Sequence, residues 1–292
     1  MNIADLIFLY AAEEKSISKA ASRAFVSQQC ASKHIQNLES RYGVPLIQRR
    51  PHFALTEAGQ ALFATLQQIH LLESGVAEHI AELGGVCDRP FAEGGASTAD
   101  LLKLDGMDFA VFDKEAAKQM KKAVSAARKA GDSLGGVLET AICGLPEGLG
   151  EPWFGGIEGE ISRGIFGIPG VKGVEFGAGF ALARMKGSEA NDEFELDEHR
   201  RVVTKTNNCG GILGGISNGM PVIFRTAIKP TPSISKKQKT VDMSTMEETE
   251  IEINGRHDAA IAARAAVIID SVTAICVCDL FTKRFGNDWA TE

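Results

Sequence analysis

Glycine is scarce over residues 1–84 and frequent from about residue 101 onward, in a chain of 292 residues with 31 glycines. Glycine weakens helix interiors and is favoured at turns, bulges and close backbone approaches. One continuous helical bundle is therefore excluded, and a helix-rich first part must be joined to a part of different build. Between them "GGVCDRPFAEGGASTAD", residues 84–100, mixes Gly, Pro, Ser and Thr without periodicity, which reads as a linker or domain edge. The length also suggests two domains.

In the first part, Ile3, Leu6, Ile7 and Tyr10 recur at helical spacing. Ser18 can cap a short helix running through Ala24. Ser27 can cap another to about Arg41, with Ala31, Ile35 and Leu38 facing inward. The stretch "VPLIQRRPHFALTEAG" has the pattern of a short β-wing. Thr56 then caps a long helix over roughly 57–83, with Leu62, Leu66, Ile69, Ile80 and Leu83 near one face. Two short helices, a turn and a wing make a winged helix-turn-helix. The second helix of the pair would present Ser27, Gln28, Gln29, Ser32 and Lys33 to a DNA major groove, with Arg49 and Arg50 where the wing meets the backbone.

Charge agrees with that division. The chain carries a net charge of −7, yet Lys15, Lys19, Arg23, Lys33, Arg41, Arg49 and Arg50 cluster with only Glu39 opposing them between Lys15 and Arg50. A local basic patch on an acidic chain suits a polyanion-binding module joined to something else. The six cysteines have no zinc-like pairing, so no metal site is expected and the thiols are read as free. Asp5, Glu13 and Glu14 interrupt any secretory pattern, and Arg264, Asp270 and Asp279 interrupt the apolar stretch 259–281. The expectation is a cytoplasmic protein with no membrane span and a buried helix at 259–281.

In the later part, "FDKEAAKQMKKAVSAARKAGD" reads as a surface helix ended by Gly131. "GGILGGISNGMPVIFRTAI" reads as a hairpin turning at Asn218-Gly219, and Glu247 to Ile253 alternate as an edge strand would. In "KPTPS", Lys229, Thr231 and Ser233 place a cation and two hydroxyls on a loop stiffened by Pro230 and Pro232, a good phosphate cradle. "INGRHDAAIAARAAVIID" joins Arg256, His257 and Asp258 to a run of small apolar residues.

Two resemblances organise these features. Ser16 to Ala21, Val26-Ser27-Gln28, Ser32, Leu38-Glu39, Gly43, Leu46, Arg49, Leu55-Thr56 and Ala58-Gly59 resemble the DNA-binding domain of LysR-type transcriptional regulators. That resemblance implies that Ala20 and Ala21 pack the helix pair and that the helix after Thr56 dimerises. Cys30 departs from it, standing where that family often has proline. Further on, "GGVLETAICGLPEGLGEPWF", "GVKGVEFGAGFALARMKGSEAND", "TNNCGGILGGISNGMPVIFRTAIKPTPSI" and "GRHDAAIAARA" together, and in this order, resemble chorismate synthase. The resemblance implies a β-α-β sandwich fold, a homo-oligomer, reduced FMN as cofactor, and 1,4-trans elimination of phosphate from 5-enolpyruvylshikimate 3-phosphate. It also assigns roles. Lys229, Pro230, Thr231, Pro232 and Ser233 hold the FMN phosphate, while Pro169, Gly170 and Gly214 lie against the flavin. Arg256 contacts FMN and substrate, Asp258 lies at the reacting ring, and His257 is structural. Ala259-Ala260 replace the "PC" common in that family.

The expected fold class is thus α+β: an all-α winged helix-turn-helix followed by a chorismate-synthase-type sandwich fragment. The expected divisions are 1–60 for the winged helix-turn-helix, 57–84 for a linker or dimerisation helix, 85–100 for a linker, 101–284 for the enzyme-like part and 285–292 for a tail. The family's "GESHG"-like histidine half is not found in the chain. His34, His52, His70 and His79 are assigned to the LysR-like part. The chain alone is therefore not expected to be active. The rival expectation is a DNA-binding regulator whose effector domain was replaced, and a rearranged gene product without a selected function is the third.

Overall fold

The computed structural model of the chain describes residues 3–24, 26–48, 53–63, 66, 75–91, 104, 107–197, 200–255 and 257–286. It divides into two compact units, Met1–Ser74 and Gly75–Glu292.

In the first unit, α1 (Ile3–Glu14), α2 (Ile17–Arg23) and α3 (Gln28–Tyr42) close around Ile7, Phe8, Leu9, Ile35 and Leu38. Ala20 and Ala21 are buried in the same core, so α2 carries almost no side-chain bulk where it packs. Ser16, and not Ser18, caps α2: its Oγ accepts from the Lys19 amide at 3.3 Å. Ser18 instead lies inside the first turn. Ser27 caps α3 by accepting from the Cys30 amide at 3.2 Å, so cysteine is accommodated at this helix start. Gly43, at φ 70°, ends α3 in the left-handed conformation. Glu39 Oε1 then accepts from the amides of Leu46 and Ile47 at 2.9 and 3.2 Å. That tie leads into β1 (Ile47–Gln48), which pairs antiparallel with β2 (Ala54–Leu55) as a minimal wing. Thr56 Oγ1 accepts from the Gly59 amide at 3.0 Å and starts helical residues 57–63.

The second unit is built on a five-stranded sheet in the order β4-β3-β5-β11-β6, every neighbouring pair antiparallel. The strands are β3 (Val76–Leu83), β4 (Val86–Cys87), β5 (Gly136–Ile142), β6 (Val171–Phe176) and β11 (Val222–Ile228). Here the structure corrects two expectations. The helix drawn over 57–83 does not reach its end, because Val76–Leu83 is a strand paired with β5. Nor is 85–100 a linker over its described part: Gly84 and Gly85, at φ 60° and 81°, turn the β3–β4 hairpin, and Asp88 and Phe91 are buried. The physical reason is that β3 is buried on most of both faces, and the apolar residues Val76, Ala77, Ile80, Ala81 and Leu83 fit a helix face as well as a central strand by spacing alone. His79 consequently belongs to the second unit and not to the LysR-like one.

Helices α4 (Lys114–Lys129) and α5 (Ile157–Phe166) flank the sheet, with α4 capped by Asp113 and followed by Gly131 at φ 65°. The last helix, α6 (Ala262–Phe285), packs on β3, β5 and α5. It is long and apolar enough to cross a membrane by composition, and the expectation of a buried helix holds for one side of it only: the other side is exposed. Two-stranded hairpins decorate the unit: β7 (Phe194–Leu196) with β8 (Val202–Thr204), β9 (Ile212–Leu213) with β10 (Ile216–Ser217), and β12 (Gln238–Asp242) with β13 (Glu247–Ile251). The hairpin expected to turn at Asn218-Gly219 turns instead at Gly214-Gly215, at φ 61° and 86°, because two consecutive positive φ values suit the tight hairpin turn. β11 leaves that hairpin and joins the main sheet.

Candidate functional site

In the first unit, Gln28, Gln29, Ser32 and Lys33 share one exposed face of α3 and, with Gln36, line a shallow groove. Gln36 was missed by the sequence reading, although it stands one turn beyond Ser32. Ser27 sits at the helix start as expected. Arg49 and Arg50 lie outside the described residues.

In the second unit, the loop after β11 carries Lys229 to Ser233 and is strapped down at three points. The Lys229 amide donates to the Gly170 carbonyl at 2.9 Å. Ser133 Oγ donates to the Thr231 carbonyl at 2.6 Å, and the Ser235 amide donates to the Gly131 carbonyl at 3.0 Å. Gly170 has φ 100°, and a Cβ there would touch Ile261 Cδ1 at 3.4 Å. The structure thus brings together Pro169-Gly170, Lys229, Thr231 and the end of α4, which sequence alone did not join. Gly214 is elsewhere. Its hairpin precedes the Val222 end of β11, whereas Lys229 follows the Ile228 end, so about 20 Å of strand separates the two.

Beside the strapped loop, a cleft of about 630 Å³ is lined by Arg128, Asp132, Ser235, His257, Asp258 and Arg264 among others. Its two carboxylates are each paired with a cation. Asp258 Oδ2 accepts from Arg264 Nη1 at 2.8 Å, and its Oδ1 accepts from the Ala260 amide at 3.1 Å. Asp132 Oδ2 meets Lys236 Nζ at 2.5 Å; that bond and the Ser133 amide hold its carboxyl below the usual range. Arg128 and Lys229 form no ion pair among the described residues. His257 donates through Nε2 to the Ile253 carbonyl at 2.8 Å, a loop-tying role that agrees with its reading as structural. Arg256 lies outside the described residues. Thr231 Oγ1 is buried and has no hydrogen-bond partner among the described residues.

A second polar cluster is buried on β3 and β5. His79, wholly buried, has Nε2 at 2.9 Å from Glu139 Oε2 and Nδ1 at 3.4 Å from Asp88 Oδ2. Phe91 and Phe112 close over the ring, with centroids at 4.6 and 4.9 Å. The register continues the polar row across the sheet, His79 to Glu139 to Arg225 to Glu175, and Arg225 pairs with Glu175 at 2.9 Å. Burial pushes the His79 pKa down, but Asp88 and Glu139 outweigh it and leave the imidazole above its ordinary value. Burial likewise opposes the charge on Asp88, and its bonds to His79 and to the Phe112 and Asp113 amides prevail and lower its pKa. His79 is wholly buried and does not line the cleft, so it reads as a core group.

A family model described as chorismate synthase matches residues 49–282, and one described as bacterial regulatory helix-turn-helix protein, lysR family, matches residues 6–60. A chorismate synthase of Dehalococcoides mccartyi is 49% identical over 212 residues, covering 70% of this chain and 55% of that protein. One of Methanothermobacter thermautotrophicus is 52% identical over 167 residues, covering 57% of this chain and 45% of that protein. A crystal structure of chorismate synthase superposes with a TM-score of 0.60 at 24% identity, over 87% of this chain and 71% of that one, which shows the fold. The second unit is thus an antiparallel sheet-and-helix domain with the chorismate synthase fold, in a chain whose first residues match a helix-turn-helix model. The chain belongs to the chorismate synthase family. It spans about half the length of the curated relatives it matches.

Proposed function

We propose that the second unit is an FMN-binding, chorismate-synthase-like domain that acts on 5-enolpyruvylshikimate 3-phosphate only when a second polypeptide completes its site. The observation that carries this reading is the strapped loop. Among the described residues Lys229 forms no ion pair and the Thr231 hydroxyl has no hydrogen-bond partner, and both lie on a proline-stiffened turn held to Gly170. A phosphate would satisfy both, so these residues fit the phosphate end of the cofactor. Lys229, Thr231 and Ser233 would hold that phosphate, while Pro169-Gly170 keep the adjoining backbone close. Arg128 and Arg256 would attract the anionic substrate, since a guanidinium meets carboxylate or phosphate in a fork. Asp258, oriented by Arg264, would position or accept a proton at the reacting ring. When bound, reduced flavin supplies electrons that these side chains cannot. Gly214 would serve a flavin at the opposite end of β11, which requires a second copy or the completing polypeptide to bridge the distance. The compartment we infer is the cytoplasm.

The test is a titration of FMN into the full chain, read by flavin fluorescence. Saturable binding is expected, with Lys229→Ala at least tenfold weaker. Absence of saturable binding rejects the reading. Chorismate formation by the chain alone with reduced FMN is expected to be absent, and robust turnover would overturn the need for a completing partner.

A second reading rests on the α3 groove. Gln28, Gln29 and Lys33 are exposed, with half-buried Ser32 between them, on a capped helix in a unit that matches the lysR-family helix-turn-helix. We infer DNA binding by this unit. Affinity should fall steeply with salt, and Lys33→Ala should weaken binding on all sequences alike, whereas Gln28→Ala should relax sequence preference.

A further inference from the structure

Helix α4 carries a stripe of positive charge, of which the proposed chemistry uses only Arg128. One side of the helix buries Ala116, Met120 and Ala127. At about 100° per residue, Lys114, Lys118, Lys121, Lys122, Arg128 and Lys129 all fall within roughly 120° on the opposite side. Each of them is exposed, and Glu115 is the one acid in the helix. Its contact with Lys118, at 3.4 Å between two exposed groups, neutralises little. Lys121 stands over the Phe109 ring at 4.9 Å, which steadies the side chain and leaves its charge. Lys114, Lys122 and Lys129 have no acidic partner among the described residues. Ala117 and Ser125 lie among Lys114, Lys118, Lys121 and Lys122 and complete a shallow groove.

A helix that faces only water gains from interleaving both signs of charge. Helix α4, in a chain of net charge −7, concentrates one sign. The stripe is linear and about 22 Å long. A small anion needs groups that converge on one point, whereas a row of point cations suits a row of anions. Duplex DNA offers such a row, with about one charge per 1.7 Å of its axis. A helix lying in a membrane interface must turn an apolar face to the lipid. The apolar face of α4 is committed to the core, and between its lysines the groove offers only Ala117 and Ser125. The choice of DNA rests on the reading of the first unit as a DNA-binding unit. We propose that the outer face of α4 is a second contact to duplex DNA, made by Lys114, Lys118, Lys121 and Lys122 to the phosphate backbone. Such contacts carry no sequence information. They add affinity to what the helix-turn-helix reads, because one chain carries both and a tethered contact is intramolecular.

The test is fluorescence anisotropy of the full chain on a labelled random-sequence duplex across a salt series. Lys114, Lys118, Lys121 and Lys122 are changed together to Gln, which keeps helix propensity, while Arg128 stays because it lines the cleft. Affinity at low salt should fall about tenfold or more. The slope of log affinity against log salt should become shallower by about two to four, close to 0.9 for each phosphate contact removed. Far-ultraviolet circular dichroism should not change. The same four lysines changed to Arg should keep both affinity and slope, since the charges remain. An unaltered slope in the Gln variant overturns the proposal whatever the first unit does. Lys33→Ala separates the two readings. Binding lost in Lys33→Ala and untouched in the Gln variant means that the first unit alone holds DNA, and the proposal is wrong. Binding lost in the Gln variant and untouched in Lys33→Ala upholds the stripe and rejects the reading of the first unit. Adsorption to phosphatidylglycerol vesicles that needs the four lysines, with duplex binding indifferent to them, would also overturn the proposal.

Discussion

Replacing His79 by leucine removes the cation-capable group that lies between Asp88 and Glu139 and leaves two buried carboxylates. Breaking a buried pair in this way costs about 3–5 kcal/mol. Both acids retain backbone donors: Phe91 to Glu139 at 2.5 Å, and Phe112 and Asp113 to Asp88 at 2.6 and 3.0 Å. That retained support places the expectation at the lower end, about 3 kcal/mol, or roughly a hundredfold in an opening equilibrium. Amide hydrogen exchange in the full chain is the assay, because two units need not unfold together and a single global transition would blur the effect. Exchange of the β3 and β5 amides should accelerate about a hundredfold in His79→Leu, while α1 to α3 remain unchanged. His79→Gln, which keeps a donor towards Glu139, should lose less. The sign with pH follows from the raised imidazole pKa. Stabilisation by His79 is fully present below its ordinary value of 6.5 and is lost as pH rises through the higher folded value. After correction for intrinsic exchange, the natural chain should lose β3 protection over that interval, and His79→Gln should not. Unchanged β3 and β5 exchange in His79→Leu, or an identical pH response in His79→Gln, would refute the reasoning.

Three further outcomes follow from the packing. Burial holds the Glu78 carboxyl well above its ordinary 4.5, against the Thr140 bond that favours its charge, so the natural chain loses stability as pH rises beyond 4.5. Glu78→Gln should melt higher than the natural chain at pH 8, by about 2–4 °C for each kcal/mol relieved, and thermal melts across pH check this. A Cβ at Gly59 would stand 2.0 Å from the Leu46 carbonyl oxygen, so Gly59→Ala should destabilise the first unit by about 2–3 kcal/mol in denaturant titration and impair DNA retention. Ser27→Ala removes the cap on α3 and should cost about 1 kcal/mol, with faster exchange confined to the first turn of that helix.

The first unit was largely legible because its marks are local. Ser27, Gly43 and Thr56 each cap or turn a helix end within about three residues, while Glu39 and Gly59 reach forward and back only as far as Leu46 and Ile47. The last turn of α4 and Gly131 were legible for the same reason. What escaped the sequence was non-local. "VAEHIAEL" carries apolar residues that suit a helix face, and only β5, some sixty residues away, makes it a strand. The His79 cluster was hidden by that same reading, since Asp88 and Glu139 meet it through sheet pairing. At the cleft, Lys229 and Thr231 could be read from a stiff loop, but Arg128, Asp132 and Ser133 arrive from the end of another helix. Asp258 could be picked out by its neighbours; that Arg264 would hold it required the turn of α6.

The place of β3 also bears on synthesis. It is the first strand of the main sheet to leave the ribosome, and its partner β5 is complete only at Ile142, about 60 residues later. At ordinary elongation rates that delay is roughly 3–12 s. Throughout it, the helix-turn-helix unit can already be closed while β3, buried on both faces in the finished fold, has only β4 beside it. A nascent chain of this design is exposed to chaperones, and to other copies of itself, for longer than its finished form would suggest.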